Sequence, residues 1–220
     1  CVTGYQPIKW GIDDTRLDSN TSPCSTSIPI IRYAEILLTY AEAKCELDEF
    51  DETVWNETIK PLRERAGVDG TMPATADPYM IEYFLGTVTD NALLEIRRER
   101  GCELILENVR WDDDMRWGMG KLAERPWYGV YVGELDKAYD MDGDGKDDVC
   151  FVRKEPERPQ AGITYRVLGD DFSLTDGDSG YLECYIRMTR KWDDKKYVRP
   201  IPTTALNDNP ALGQNYGWEK

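Results

Sequence analysis

Histidine is absent from this chain, and its absence removes Ser-His-Asp and Cys-His nucleophilic schemes, imidazole general bases and imidazole metal sites together. Positive charge is scarce beside negative charge: 27 Lys and Arg against 42 Asp and Glu leave −15 at pH 7. With no basic groove to release counterions from a phosphate backbone, nucleic acid is excluded as a partner. The six cysteines (Cys1, Cys24, Cys45, Cys102, Cys150 and Cys184) contain no C-x-x-C, which removes the usual zinc and thioredoxin-like patterns. Cys45 and Cys102 read as small apolar residues on helix faces, and one or two disulfides among the others stay open. No apolar run approaches the ~20 residues that span a bilayer, and the opening CVTGYQPIKW is neither a signal peptide nor an amphipathic anchor. What is present, 220 residues that are 40% apolar with seven Trp and thirteen Tyr, suffices for one large domain or two small ones with a real core.

The first thirty residues are rich in Asp, Ser, Thr, Pro and Gly and lack a helical period, so an extended start around Val2 to Trp10 followed by a loop is expected. From Ile28 to Leu47 apolar residues cover most of the helix circumference, leaving Glu35, Thr39, Glu42 and Glu46 on a narrow polar side. This predicts a helix packed on two sides, as in stacked helical hairpins. Asp51 to Ala66 forms its partner, with Pro61 forcing a kink or restart and Gly67 as the C-cap. The hairpin, 28–66, has roughly the tetratricopeptide size of about 34 residues.

A second long scaffold helix is predicted over 89–117, with Thr89 or Asp90 as N-cap and Leu94, Gly101, Cys102, Ile105, Leu106 and Val109 on its core side. Glu95, Glu99, Glu103 and Glu107 recur one turn apart and repel one another unless arginines intervene. Arg98, Arg100 and Arg110 stand three residues from Glu95, Glu103 and Glu107 respectively, and Arg98 falls within the apolar side, where it needs a carboxylate. We therefore expect a buried or half-buried ion-pair network of Arg98, Glu99, Arg100, Glu103, Glu107 and Arg110. Residues 118–190 form a loop-rich excursion with a few short strands, for which VCFVR and YLECYIRM are candidates. The tail, 191–220, is extended, turns near Thr203 to Asn207 and packs on the helices.

Three separated motifs carry a resemblance. The first is IPIIRYAEILLTYAEA, Ile28 to Ala43, preceded by Gly4 and Tyr5. The second is the series Ile96, Arg97, Glu99, Arg100, Glu103, Leu104, Glu107, Arg110, Asp113, Arg116 and Trp117. The third is YVRPIPTTALNDNPALGQNYGW, closing at Trp218. Together they resemble the C-terminal portion of RagB/SusD-type outer-membrane nutrient-binding lipoproteins of Bacteroidetes. Asn108-Val109 replaces that family's usual Gly-His, and Asp114 its usual Leu. The resemblance implies a mainly α fold of tetratricopeptide-like hairpins in an alpha-alpha superhelix. It also implies capture of glycan, or of peptide, for a TonB-dependent (SusC-like) transporter at the cell surface. A lipid anchor is expected in a preceding part of the protein, since Cys1 stands before a mid-protein motif.

Two groups of residues suggest ligand chemistry. Asp140, Asp142, Asp144, Lys146 (through its carbonyl) and Asp148 fit D-x-D-x-D-G, a calcium-loop pattern with glycine at the sharp turn. Position 12 is Phe151 where a complete EF-hand has Glu, so a further carboxylate such as Asp136 is needed. Sugar rings stack their C–H faces on flat aromatics, and Trp127, Tyr128 and Tyr131, with Trp192 as a second candidate, offer such surfaces. Trp111 and Trp117 are expected to pack at helix ends. A tetratricopeptide-type adaptor is the alternative class. A glycoside hydrolase with two carboxylates about 5 to 10 Å apart is a third, although no pair stands out, and no enzymatic role is expected.

Overall fold

A computed structural model describes residues 2–5, 7, 9, 29–169 and 171–219. It divides into two compact units: Lys9–Leu122 with Asp194–Lys220, and Cys1–Ile8 with Ala123–Asp193.

The first unit is helical. Helix α1, Tyr33–Glu46, stops where Asp48 turns left-handed (φ 56°). Helix α2, Glu52–Glu57, starts at Asp51, whose carboxylate accepts from Val54 N at 2.9 Å. Helix α3, Ile59–Arg65, is a restart after Thr58, which puts Pro61 in a first turn, where no donor is required of it. Left-handed Gly67 (φ 72°) then ends the hairpin. Trp55 anchors it, buried and donating to Gly70 O at 2.8 Å. Short α4, Pro78–Tyr83, precedes α5, Asn91–Glu103, whose N-cap Asp90 accepts from Leu93 N at 2.7 Å.

Five expectations for this unit are corrected. The scaffold helix over 89–117 is two helices: α5 ends at Glu103, Leu106 and Asn108 are left-handed (φ 64° and 63°), and α6 runs Arg110–Arg116. The core side also differs: Leu94, Ile96 and Leu104 are buried while Cys102, Ile105 and Leu106 are exposed. Arg97, not Arg98, is the arginine held among apolar groups, because it stands next to buried Ile96 and lies over the Trp117 ring. Finally, α1 packs on one side. Ala34, Leu38 and Ala41 join Trp55, Ile59, Leu62, Ile96 and Leu104 in a core, whereas Tyr33, Ile36 and Tyr40 face outward. Glu42, expected on the polar side, is buried because Arg116 (2.6 and 2.5 Å) and Trp117 Nε1 (2.6 Å) all donate to it.

The charges of α5 are met mostly from other elements. Arg63 of α3 reaches Glu95 at 2.6 Å and Glu99 at 2.9 Å. Arg32, just before α1, binds Glu107 through Nε at 2.9 Å and Glu103 through Nη1 at 2.8 Å, and Lys9 also donates to Glu107. Arg100 forms two 2.9 Å bonds with buried Asp113, which Arg116 shares at 2.8 Å. Of the three spacings read from the sequence, Arg98–Glu95 forms at 3.1 Å, with Asp77 also on Arg98 at 2.5 Å. Arg100 leaves Glu103 for Asp113, and Arg110 leaves Glu107 for Asp114 at 2.9 Å. Within the same unit the tail is stitched by Tyr197, whose hydroxyl accepts from Gly120 N at 2.9 Å, and by Trp218, whose Nε1 donates to Val198 O at 2.8 Å. Helix α7 spans Thr203–Asp208.

The second unit holds two three-stranded sheets. Strands β1 (Trp127–Val132), β6 (Gly180–Cys184) and β5 (Phe172–Leu174) form an antiparallel sheet in the order β1-β6-β5. Strand β3 (Val149–Val152) pairs antiparallel with β2 (Ala138–Tyr139) and parallel with β4 (Thr164–Val167). Val130, Val132, Phe151, Leu168, Leu174, Leu182 and Cys184 make the core. Residue 3 lies along β1, where Val130 N donates to Thr3 O at 2.9 Å; a Cβ on Gly129 would collide with that carbonyl. Among the described residues all four cysteines (Cys45, Cys102, Cys150 and Cys184) are free thiols, while Cys1 and Cys24 lie outside them. Burial, reinforced by nearby Asp90, pushes the Cys45 thiol up to about 12, which makes it inert as a nucleophile.

Removing Asp113 strands the buried Arg100 guanidinium, while Arg116 keeps Glu42, so Asp113→Ala should cost about 3–5 kcal/mol in urea unfolding. Glu49→Gln, which breaks the exposed Lys44 pair at 2.6 Å, should leave the urea midpoint nearly unchanged, since solvent screens such a pair. The acid limb provides a second check. Burial alone would raise the Glu107 carboxyl, but hydrogen bonds from Arg32 and Lys9 outweigh it and hold it below its ordinary value. A depressed folded pKa means this stabilisation is full above the unfolded value of ~4.3 and is lost as pH falls through the lowered one. Glu107→Gln should therefore flatten the decline of stability below that range, and an unchanged limb would contradict the assignment.

Candidate functional site

The aromatic candidates are sorted by a bulge in β1. Tyr128 pairs with Glu183 and Tyr131 with Tyr181, and the register shifts between them. Residues three apart on a regular strand point to opposite faces; the extra residue re-aims Tyr131, so both tyrosines meet Tyr181. Ring centres are 6.4 Å apart for Tyr128–Tyr181 and 5.3 Å for Tyr131–Tyr181. All three rings are about half exposed while Val130, Val132 and Leu182 point into the core. Tyr181 escaped the sequence reading, although the period-two alternation of YLEC, with Leu182 and Cys184 inward, was the signal that could have revealed it.

The two tryptophans fare differently. Trp127 is half exposed, but Tyr185 lies edge-on to it at 5.5 Å and the Arg190 guanidinium is 4.7 Å from its ring centre. Trp192 is corrected from a surface platform to a structural residue. It is buried, and its backbone N donates to Glu124 at 2.6 Å. Beside the strand ends a cavity of about 400 Å³ is lined by Glu124, Ser173, Glu183, Tyr185 and Arg190 among others. Ser173 Oγ donates to Glu183 at 2.6 Å. Both carboxylates thus hold local structure, and what the cavity offers a ligand is a set of hydroxyl-matching donors and acceptors next to aromatic rings.

The Asp-rich loop joins β2 to β3. Asp140 accepts from Gly143 N at 2.7 Å and Gly145 N at 2.8 Å, and these bonds hold its carboxyl below the usual range. Positive φ at both glycines lets the chain curl around the carboxylate (82° and 86°). Asp148 accepts from Met141 N at 2.8 Å. Carboxylate oxygens of Asp140, Asp142 and Asp148 come within 4.8 Å of one another, the one such group among the described residues. Asp144 is drawn aside by Lys146, whose backbone N and ammonium reach it at 2.8 and 3.0 Å. Phe151 is buried in the core, and Asp136 does not join the acidic group. Three hard oxygen donors suit a hard cation.

The pattern of the SusD family matches residues 2–218. A crystal structure of a SusD-like protein from Bacteroides fragilis is similar at 20% sequence identity and a TM-score of 0.49, over 86% of this chain and 25% of that one. The chain therefore spans about a quarter of that protein's length. No curated protein sequence matches it. Because the family pattern runs unbroken through α1, the α5–α6 charge series and the closing Trp218, this chain belongs to the SusD family.

Proposed function

We propose that the chain is part of a cell-surface nutrient-binding protein that captures glycan and delivers it to a partner TonB-dependent outer-membrane transporter. Family membership supports the general role. The observation that carries the reading to this chain is the exposed Tyr128–Tyr181–Tyr131 cluster, beside a polar cavity in the same unit. Sugar C–H faces stack on such rings, and neighbouring side chains bond the hydroxyls. The role is read as binding without turnover, in keeping with the family's general role, and Glu124 and Glu183 accept from Trp192 N and Ser173 Oγ. No helix among the described residues is long and apolar enough to cross a membrane.

The test is a glycan array followed by calorimetry and a reducing-sugar assay. Replacing Tyr128, Tyr131 or Tyr181 by Ala should weaken binding of the captured glycan by about 0.5–1.5 kcal/mol each, with no sugar released. Binding that survives the triple variant, or release of reducing ends, would sink the proposal. Asp140, Asp142 and Asp148 are further proposed to hold Ca²⁺, with backbone carbonyls of the same loop completing the oxygen shell. Adding millimolar calcium after chelation should then raise the thermal midpoint, and Asp140→Asn should abolish the rise. Calorimetry that shows no calcium-dependent heat would end this assignment.

A further inference from the structure

The outward face of the β1-β6-β5 sheet sets a carboxylate among its tyrosines. Across the three strands Tyr128 stands in register with Glu183, and Glu183 with Ser173. The next residue along each strand belongs to another row, Trp127, Cys184 and Phe172. Successive residues of a strand point to opposite faces, and the bulge in β1 lies beyond Tyr128, so the two rows face opposite ways. Cys184 and Leu182 are buried while Tyr128 and Tyr181 are about half exposed. Glu183, between Leu182 and Cys184 on β6, therefore shares the open side with the tyrosines.

The sheet also sorts its charges by row. Arg190 lies 4.7 Å from the Trp127 ring centre and Arg166 5.0 Å from that of Phe172, both on the Trp127–Cys184–Phe172 row. Arg153 is held at the β5–β6 turn by Gly177 O at 2.8 Å and Asp178 at 2.7 Å. Among the described residues the half-buried Glu183 carboxylate accepts from the neutral Ser173 hydroxyl at 2.6 Å and makes no ion pair. That bond fixes the carboxylate without neutralising it. A glutamine would accept the same bond, so local structure does not require the charge, and its effect falls on whatever lies over the tyrosines. The net charge of −15 acts in the same sense, but salt at physiological strength screens it beyond ~8 Å, which leaves Glu183 as the nearby source.

We propose that Glu183 is a specificity-determining residue of the tyrosine face, which admits neutral glycans and turns away those bearing carboxylates. This rests on the capture reading given above and adds the class of glycan to it. Hydroxyls of a neutral ring stacked on Tyr128 and Tyr181 can donate to the remaining lone pairs of Glu183. A uronate in the same place brings a second negative charge beside the first, and discrimination of this kind comes from repulsion of the wrong ligand as much as from attraction of the right one. Arg190 also lines the cavity at the strand ends; were it to govern, the preference would run the other way.

Glucan, mannan and galactan oligosaccharides supply matched probes, each as the neutral chain, as the chain with C6 oxidised to carboxylate, and as the methyl ester of that carboxylate. Ester and acid differ by one methyl group and one charge, so the ratio of their Kd values, measured by calorimetry, reads the repulsion. For each backbone that binds, the ester should bind at least about threefold more tightly than the acid, as for two unit charges about 6 Å apart even in the dielectric of water. Glu183→Gln should bring the two constants together at an unchanged thermal midpoint, since Ser173 keeps its acceptor. Raising NaCl from about 0.05 M to about 1 M, which shortens the screening length to about 3 Å, should shrink the wild-type ratio; exclusion by shape would not respond. Equal binding of ester and acid, preference for the acid, or a ratio unmoved by Glu183→Gln or by salt would overturn the proposal and leave the capture reading standing. Binding of none of the oligosaccharides would overturn the capture reading and this inference with it.

Discussion

Four glutamates recurring every four residues, Glu95, Glu99 and Glu103 on α5 and Glu107 just beyond its end, are the constraint to which the helical unit answers. Like charges at that spacing destabilise a helix, and burying them unpaired costs several kcal/mol each. The solution is not local. Arg63 arrives from α3 and Arg32 from the segment before α1, each bridging two of the four carboxylates. Each pair fixes the place of a different element against α5. The ion pairs thereby set which helices are neighbours, and the apolar contacts around Leu38, Trp55 and Ile96 fill the space they define. A buried pair of this kind is weak evidence for net stability. Its effect is specificity, because any other helix arrangement would leave several charges uncompensated.

The same constraint explains what could be read from the sequence. Asp51 and Asp90 are legible as caps and Pro61 as a restart, because each acts within one turn of itself. The arginine partners were not legible, because spacing along a helix reveals only partners on that helix. Arg100 had a glutamate three residues away, yet it turns to Asp113 of α6, while Arg110 pairs within α6 with Asp114, four residues on. Arg100 can do so because the chain turns through left-handed Leu106 and Asn108 and sets Asp113 within its reach. Left-handed leucine has no sequence signature. The hydrophobic period ran through it undisturbed and gave one helix where there are two.

In the strand unit the legible part was composition and the illegible part was geometry. Tyr128 and Tyr131 stand out as exposed aromatics in a glycine- and proline-rich stretch, but strict alternation would put them on opposite faces. Only the bulge, which the sequence marks with no more than Gly129, brings both to Tyr181. Trp192 shows the reverse error: flanked by Lys191, Asp193 and Asp194 it looks like a surface residue, yet the chain folds its ring inward. Neighbours in sequence report the solvation of the backbone around a ring, not of the ring itself.

The acidic excess is handled in two distinct ways, and the difference bears on how the Asp-rich loop would take a cation. Around α5 the carboxylates are neutralised by guanidinia and buried. In the loop they remain exposed and are organised by backbone N–H groups of Gly143, Gly145 and Met141. Those bonds leave lone pairs on each carboxylate, since every oxygen can accept more than one contact. The three carboxylates are thus gathered before any cation arrives, at the cost of mutual repulsion that an incoming charge would relieve. A loop already curled in this way does not have to spend binding free energy on ordering itself. Repulsion stored among preorganised ligands, not a change of fold, is what a cation would act on here.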